Sequence, residues 1–185
     1  MRQRTLLAPF LLASLALALP AGAADPRGRF SAEASITTSQ GTRRLAFDIV
    51  VDRPYTLEQA LPLKKTLEEG GTPALEAALS RMHAGRLKVG NLERGLQLVL
   101  AEETSRGIRY VVVASRAIGT DELARGLDSV DYPFLVADFE VPEFGTGDGK
   151  IYPKASLSIG GDGRVQVDQY GGAEGELTHV KRYRP

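Results

Sequence analysis

Leu135-Val136-Ala137-Asp138-Phe139-Glu140-Val141 is followed, past a glycine-rich turn, by Ile151-Tyr152-Pro153-Lys154-Ala155-Ser156-Leu157-Ser158-Ile159 and then by Gly161-Asp162-Gly163-Arg164-Val165-Gln166-Val167. Apolar residues recur here at nearly every second position, the period of a strand that buries one face. Leu135, Ala137, Phe139 and Val141 point one way, and Ile151, Ala155, Leu157 and Ile159 answer them across a turn over Gly145 to Gly149. Gly161-Asp162-Gly163 has the chemistry of a tight hairpin turn, which sets Ile159 opposite Val165 and Leu157 opposite Val167. Three strands that reverse in succession make an antiparallel sheet, and the rest of the chain extends it.

Toward the N-terminus, Leu96, Leu98 and Leu100 alternate up to a turn near Ser105, and Tyr110, Val112 and Ala114 return. Val99 and Val111 add apolar groups to the opposite face, so these two strands should be covered on both sides. Phe30, Ala32, Ala34 and Ile36 form another half-buried strand, as do Leu45, Phe47, Ile49 and Val51. A hairpin centred on Gln40-Gly41 would place Ile36 opposite Leu45 and Ala34 opposite Phe47. The last strand runs from about Glu176 to Tyr183.

Helical periodicity is concentrated between these strands. Thr56 with Gln59 has the spacing of a capping box, and Leu57, Ala60, Leu61 and Leu67 follow on one side. Pro62 should kink or shorten this helix. Gly70-Gly71 ends it, Thr72-Pro73 can start another, and Leu75, Ala78, Leu79 and Met82 fall at helical spacing. Thr120 can cap a single turn through Arg125. The expected fold is α+β: an antiparallel meander of about eight or nine strands, curled or half-barrel, with two short helices inserted after the second strand and plugging an open end. A flat sheet with helices on one side is the alternative.

The N-terminus predicts export. Arg2 and Arg4 precede an apolar run from Leu6 to Leu19, and Pro20 leads into Ala21-Gly22-Ala23, the layout of a signal peptide over residues 1–23 with a single domain over 24–185. The run is shorter than the roughly 18 to 20 residues that span a bilayer, so no membrane span is expected in the mature form, which would be periplasmic or extracellular. The chain has no cysteine, which rules out a lipoprotein anchor, disulfides, a thiolate nucleophile and Cys-based metal sites. Its 23 basic and 23 acidic side chains balance, giving no long-range field for nucleic acid.

No catalytic constellation stands out. Phe144-Gly145-Thr146-Gly147-Asp148-Gly149-Lys150-Ile151 lacks the first glycine and the final Ser or Thr of a phosphate-binding loop, and a strand rather than a helix follows it. His83 and His179 are the only histidines, with neither a His-Glu-x-x-His pair nor a Gly-x-Ser-x-Gly elbow, so no metal or cofactor is expected. Asp138 and Glu140 share one face of their strand, and a pair of carboxylates at the right separation is all that hydrolytic chemistry such as glycoside cleavage needs. With a turn centred near Thr146, Asp138 would face Lys154 and Glu140 would face Tyr152, as cross-strand ion pairs on a solvated face do. Tyr132, Asp138, Glu140, Tyr152 and Lys154 are the polar patch to examine if that face lines a groove.

Asp48-Ile49-Val50-Val51, Gly70-Gly71 followed by Ala74-Leu75 and Ala78-Leu79, Asp131-Tyr132-Pro133-Phe134 and the closing alternating strands together resemble a group of small exported bacterial proteins with no assigned function. The likeness spans most of residues 24–185 and implies export and one domain, but no site residue. The functional expectation is a binding domain for a small apolar molecule in the mouth of the sheet or for an envelope protein along its edge. An exported hydrolase using Asp138 and Glu140, or a structural or inhibitory domain, is the alternative.

Overall fold

The computed structural model describes residues 25–38, 41–115, 132–171 and 174–183; the expected leader and the helical turn at Thr120 to Arg125 lie outside them. Among the described residues, ten antiparallel strands and one helical element follow in the order β1 (Gly28–Thr38), β2 (Gly41–Val51), α1 (Leu57–Leu79), β3 (Gly85–Val89), β4 (Leu92–Leu96), β5 (Leu98–Glu103), β6 (Gly107–Ala114), β7 (Phe134–Pro142), β8 (Gly147–Ile159), β9 (Val165–Tyr170) and β10 (Gly175–Tyr183). The sheet runs β4-β3-β2-β1-β10-β8-β7-β6-β5, with β9 paired to the far half of β8. It is not a simple meander, because the first and last strands lie side by side.

The two ends of this strand order, β4 and β5, are consecutive in the chain and separated only by Gln97. The first half of this bent strand pairs with β3 and the second with β6, so the sheet curls into a nearly closed barrel. Gln97 fastens the bend: its N–H donates to the Val113 carbonyl at 3.0 Å, and its side-chain carbonyl accepts from the Ser115 N–H at 2.7 Å. The bend also changes parity. Leu96 belongs to the inner core and Leu98 and Leu100 to the outer one, so the expected Leu96–Leu98–Leu100 face does not exist.

Inside the barrel, Phe30, Phe47, Leu87, Val99, Tyr110, Val112, Phe139 and Leu177 pack with residues from every strand except β9. Tyr110 stacks on Phe139 at 5.3 Å between ring centroids and meets Phe30 at 4.8 Å, which fills the interior with rings. The outer core joins Ala60, Leu63, Leu75 and Leu79 of α1 to Leu98, Leu100, Val111, Val113, Phe134, Val136, Leu157 and Val165. β5 and β6 are therefore covered on both faces, as Val99 and Val111 imply. The helix lies against the outside of the barrel and plugs no open end.

The helix differs from expectation in a second respect. It is one element rather than two short helices, bent at Gly71, whose φ of 65° and ψ of −166° are the only non-helical values inside it. Pro62 is accommodated without a break. The capping box is complete: Gln59 N–H donates to Thr56 Oγ1 at 3.3 Å and Thr56 N–H to Gln59 Oε1 at 3.0 Å.

Registers follow the sequence where turns are tight and slip where glycine misleads. Ile159 pairs with Val165 and Leu157 with Val167, as expected. In the first hairpin Ala34 pairs with Leu45 and Ala32 with Phe47, two residues from the expected register. In the β7–β8 hairpin Asp138 faces Lys150 and Glu140 faces Asp148, not Lys154 and Tyr152. Gly147 and Gly149, taken for turn residues, are strand residues: a Cβ on them would lie 1.8 Å from the Glu140 carbonyl oxygen and 2.3 Å from that of Asp138. They are small because β7 crowds them, not because the chain turns there.

Two substitutions probe this packing. Gly163, with φ of 83°, would place a Cβ 2.1 Å from the Leu57 carbonyl oxygen. Gly163→Ala should lower the unfolding free energy by at least about 2 kcal/mol in urea titration, left-handed strain and the clash adding. The Tyr110 hydroxyl is buried with no hydrogen-bond partner among the described residues, and burial pushes its pKa up to about 12. Tyr110→Phe should therefore raise stability by about 1 kcal/mol in the same assay.

Candidate functional site

β9 pairs with β8 over Ala155 to Ile159 and leaves a cleft between itself and the outer face of β6 and β7. Its position is fixed at one end by the β8–β9 turn. Arg164 reaches from that turn to Glu102 on β5 with Nε and Nη2 at 3.0 and 2.9 Å from one carboxylate oxygen, and Nη1 holds Asp162 at 2.8 Å. The cleft encloses about 230 Å³ and is lined by Arg109, Val111, Val136, Asp138, Tyr152, Val165, Gln166 and Val167. The valines belong to the outer core or pack on it, and the polar groups stand around them.

Arg109 and Asp138 form a two-pronged pair, with Nε to Oδ1 at 2.8 Å and Nη2 to Oδ2 at 2.5 Å. Such a planar pair fixes both side chains and cancels their charge at the cleft wall. The hydrogen bond to Asp138 holds the Arg109 guanidinium above its ordinary pKa. Burial, then the Glu174 carboxylate, raises the Tyr152 phenol, so its hydroxyl stays a neutral donor and acceptor. Tyr170 buttresses the Tyr152 ring at 5.3 Å between centroids and 53° between planes. Lys150 is paired with Glu174 at 2.5 Å.

Of the five residues singled out in the sequence, Asp138 and Tyr152 line this cleft. Glu140 shares the outer face but turns to the β5–β6 corner, where it accepts from the Thr104 hydroxyl and pairs with Arg106. Tyr132 lies away from the cleft with its ring against Gly171. Lys154 is separated by a bulge: the pairing slips between Phe134 and Val136, so Tyr152 and Ala155 share the outer core and Lys154 falls on the other face. Arg109, Gln166 and the four valines escaped notice. Arg109 alternates with Val111 and Val113, but its closeness to Asp138 depends on a β6–β7 register that crosses residues 115–133 and that no turn motif fixes.

The histidines do not converge. His179 sits in the bulge between Leu177 and Val180 of β10 with φ of 55°. Among the described residues no group of His, Asp or Glu could hold a metal ion, and no helix is long and apolar enough to cross a membrane. Compared with known proteins, the chain matches no family model, no curated protein and no solved structure.

Glu140 offers a pH test of the corner. The Thr104 hydrogen bond, with Arg106, holds its carboxyl below the ordinary value of 4.5 against the opposing effect of burial. A carboxylate lowered on folding stabilises the fold above its unfolded pKa and loses that contribution as pH falls through the folded one. The melting-temperature difference between the native protein and Glu140→Gln should stay constant from neutral pH to about 4.5 and shrink below it; a difference that widens in acid would contradict this assignment.

Proposed function

We propose that the protein is an exported, non-catalytic binding domain whose recognition site is the cleft between β9 and the β6–β7 face. The observation that carries this reading is the lining of the cleft, in which Arg109, Asp138 and Tyr152 meet the edges of Val111, Val136, Val165 and Val167, most of them buried in the outer core. Ligand sites commonly combine apolar lining with a few polar groups that orient the guest. Phe30, Tyr110 and Phe139 pack together inside the barrel, and a larger pocket of about 690 Å³ lies where β1, β2 and β10 run side by side, lined by Arg29, Phe30, Asp48, Ile49, Val50 and Tyr183.

The chemistry of the two carboxylates supports binding over hydrolysis. Asp138 is tied to Arg109, and Glu140 is held ionised by Thr104 and Arg106. A general acid for glycoside cleavage needs a raised pKa, the opposite of what Glu140 has. Docking of an envelope protein by strand addition also has an observation behind it, because β9 pairs only with β8 among the described residues.

Val167→Trp separates the two modes. Val167 is half-buried and lines the cleft, so an indole there should fill it, with ligand-free melting followed alongside to register any strain. Ligand-dependent stabilisation should vanish in this variant if the cleft is the site. Binding that survives the substitution would point to the β9 main chain instead, and a ligand screen that stabilises neither form would remove the small-ligand reading.

A further inference from the structure

We propose that the pocket where β1, β2 and β10 run side by side binds an amphipathic anion, an aliphatic chain that carries one carboxylate or phosphate. It is a second site, independent of the cleft at β9. The pocket encloses about 690 Å³, within the roughly 300–1,000 Å³ of sites that take small molecules. It lies on a face of the barrel that α1 and β9 leave bare: no residue of β1 to β4 or of β10 belongs to the outer core.

Strand register sets out what this face presents. Phe30, Ile49 and Leu87 point inward and are nearly fully buried, so their neighbours along each strand point outward. Arg29 pairs with Tyr183 on one side and with Val50 on the other, and Val50 pairs in turn with Arg86. Tyr183, Arg29, Val50 and Arg86 thus form one row across the sheet. Lys181, Ser31, Asp48 and Lys88 form the next.

These rows offer exposed carbon first. Tyr183 is 58% exposed, and its ring is held across the sheet because the Ser31 hydroxyl donates to its oxygen at 3.1 Å. Val50 is half-buried, and the aliphatic stem of Arg29 lies between the two. Phe30 and Ile49 also line the pocket but are too deeply buried to add much surface, so the apolar strip is short.

The rows also offer charge. Arg29, Arg86, Lys88 and Lys181 are exposed, and none is in an ion pair among the described residues. The acids of these rows, Asp48 and, beyond Lys88, Glu93, both stand in the second. The first row carries cations alone, unlike the cleft at β9, where Asp138 cancels Arg109. A cationic guest would meet Arg29 and Arg86 as like charges. An inorganic anion would leave Val50 and Tyr183 uncovered. An aliphatic chain with an anionic head matches both features, the chain over Val50 and Tyr183 and the head accepting from the arginines that flank Val50.

Amide chemical-shift titration of the full chain with octanoate, octyl phosphate, 1-octanol, octyltrimethylammonium and acetate tests the proposal. Octanoate or octyl phosphate should shift Arg29, Val50, Arg86 and Tyr183 saturably at millimolar concentration, and the tighter of the two identifies the head. Octanol and acetate should bind about tenfold more weakly, and the cation more weakly still. Arg29→Gln combined with Arg86→Gln, both at exposed positions, should weaken octanoate about tenfold. Added salt should weaken it in the native protein too, a check that needs no variant. Octanol binding as tightly as octanoate would overturn the role of charge, and acetate doing so would overturn the apolar strip. Octanoate binding indifferent to both the variant and salt would overturn the placement. Silence with octanoate and octyl phosphate would overturn the proposal and leave the cleft at β9 untouched.

Discussion

The bend at Gln97 is the constraint on which the architecture depends. A ten-stranded sheet needs its two outermost strands either protected or joined, since unpaired main chain is costly when buried and hazardous when exposed. Here the outermost strands are one strand, and the residue between them gives its backbone to Val113 and its side chain to Ser115. The same bend turns Leu98 and Leu100 outward, which supplies the apolar surface that α1 covers. Closure of the barrel and attachment of the helix are thus consequences of one local event.

That event also explains which parts of the fold were legible. Alternation located the strands other than β3 and β4, and the turn at Gly161-Asp162-Gly163 set its register correctly. The capping box at Thr56 and Gln59 located the helix start. Errors arose where one residue type serves two purposes. Glycine marks turns, but Gly147 and Gly149 sit in β8 because Glu140 and Asp138 main chain leaves no space for a side chain. Gly71 bends a helix that continues past it. Period-two counting carries no information about a parity change, so the inner and outer faces around Gln97 and around the bulge at Tyr152 to Ala155 were not separable from sequence.

The candidate site was half visible for a related reason. Asp138 and Tyr152 were recognisable because they interrupt apolar strands that neighbour each other through a short turn. Arg109 reaches Asp138 from β6, and Gln166 approaches from β9 folded over the same face, both through long-range geometry. Polar residues on a strand exterior look alike in sequence whether water or a third strand lies over them. Only the fork of β8, whose near half pairs with β10 and far half with β9, decides which are enclosed.

Pairing of β1 with β10 has a consequence for how the molecule comes into being. Arg29 meets Tyr183 and Phe30 meets Arg182, so strands from opposite ends of the chain are neighbours, and Arg182 further clasps the Asp25 and Arg27 carbonyls. The first strand can find its second neighbour only after the last has been made. Such distant partners are slow to meet, and a hairpin of β1 and β2 waits meanwhile with one edge bare. With no cysteine to lock a partial assembly, completion rests on the arrival of the C-terminal strand, and a chain cut short before Gly175 would be left without its keystone.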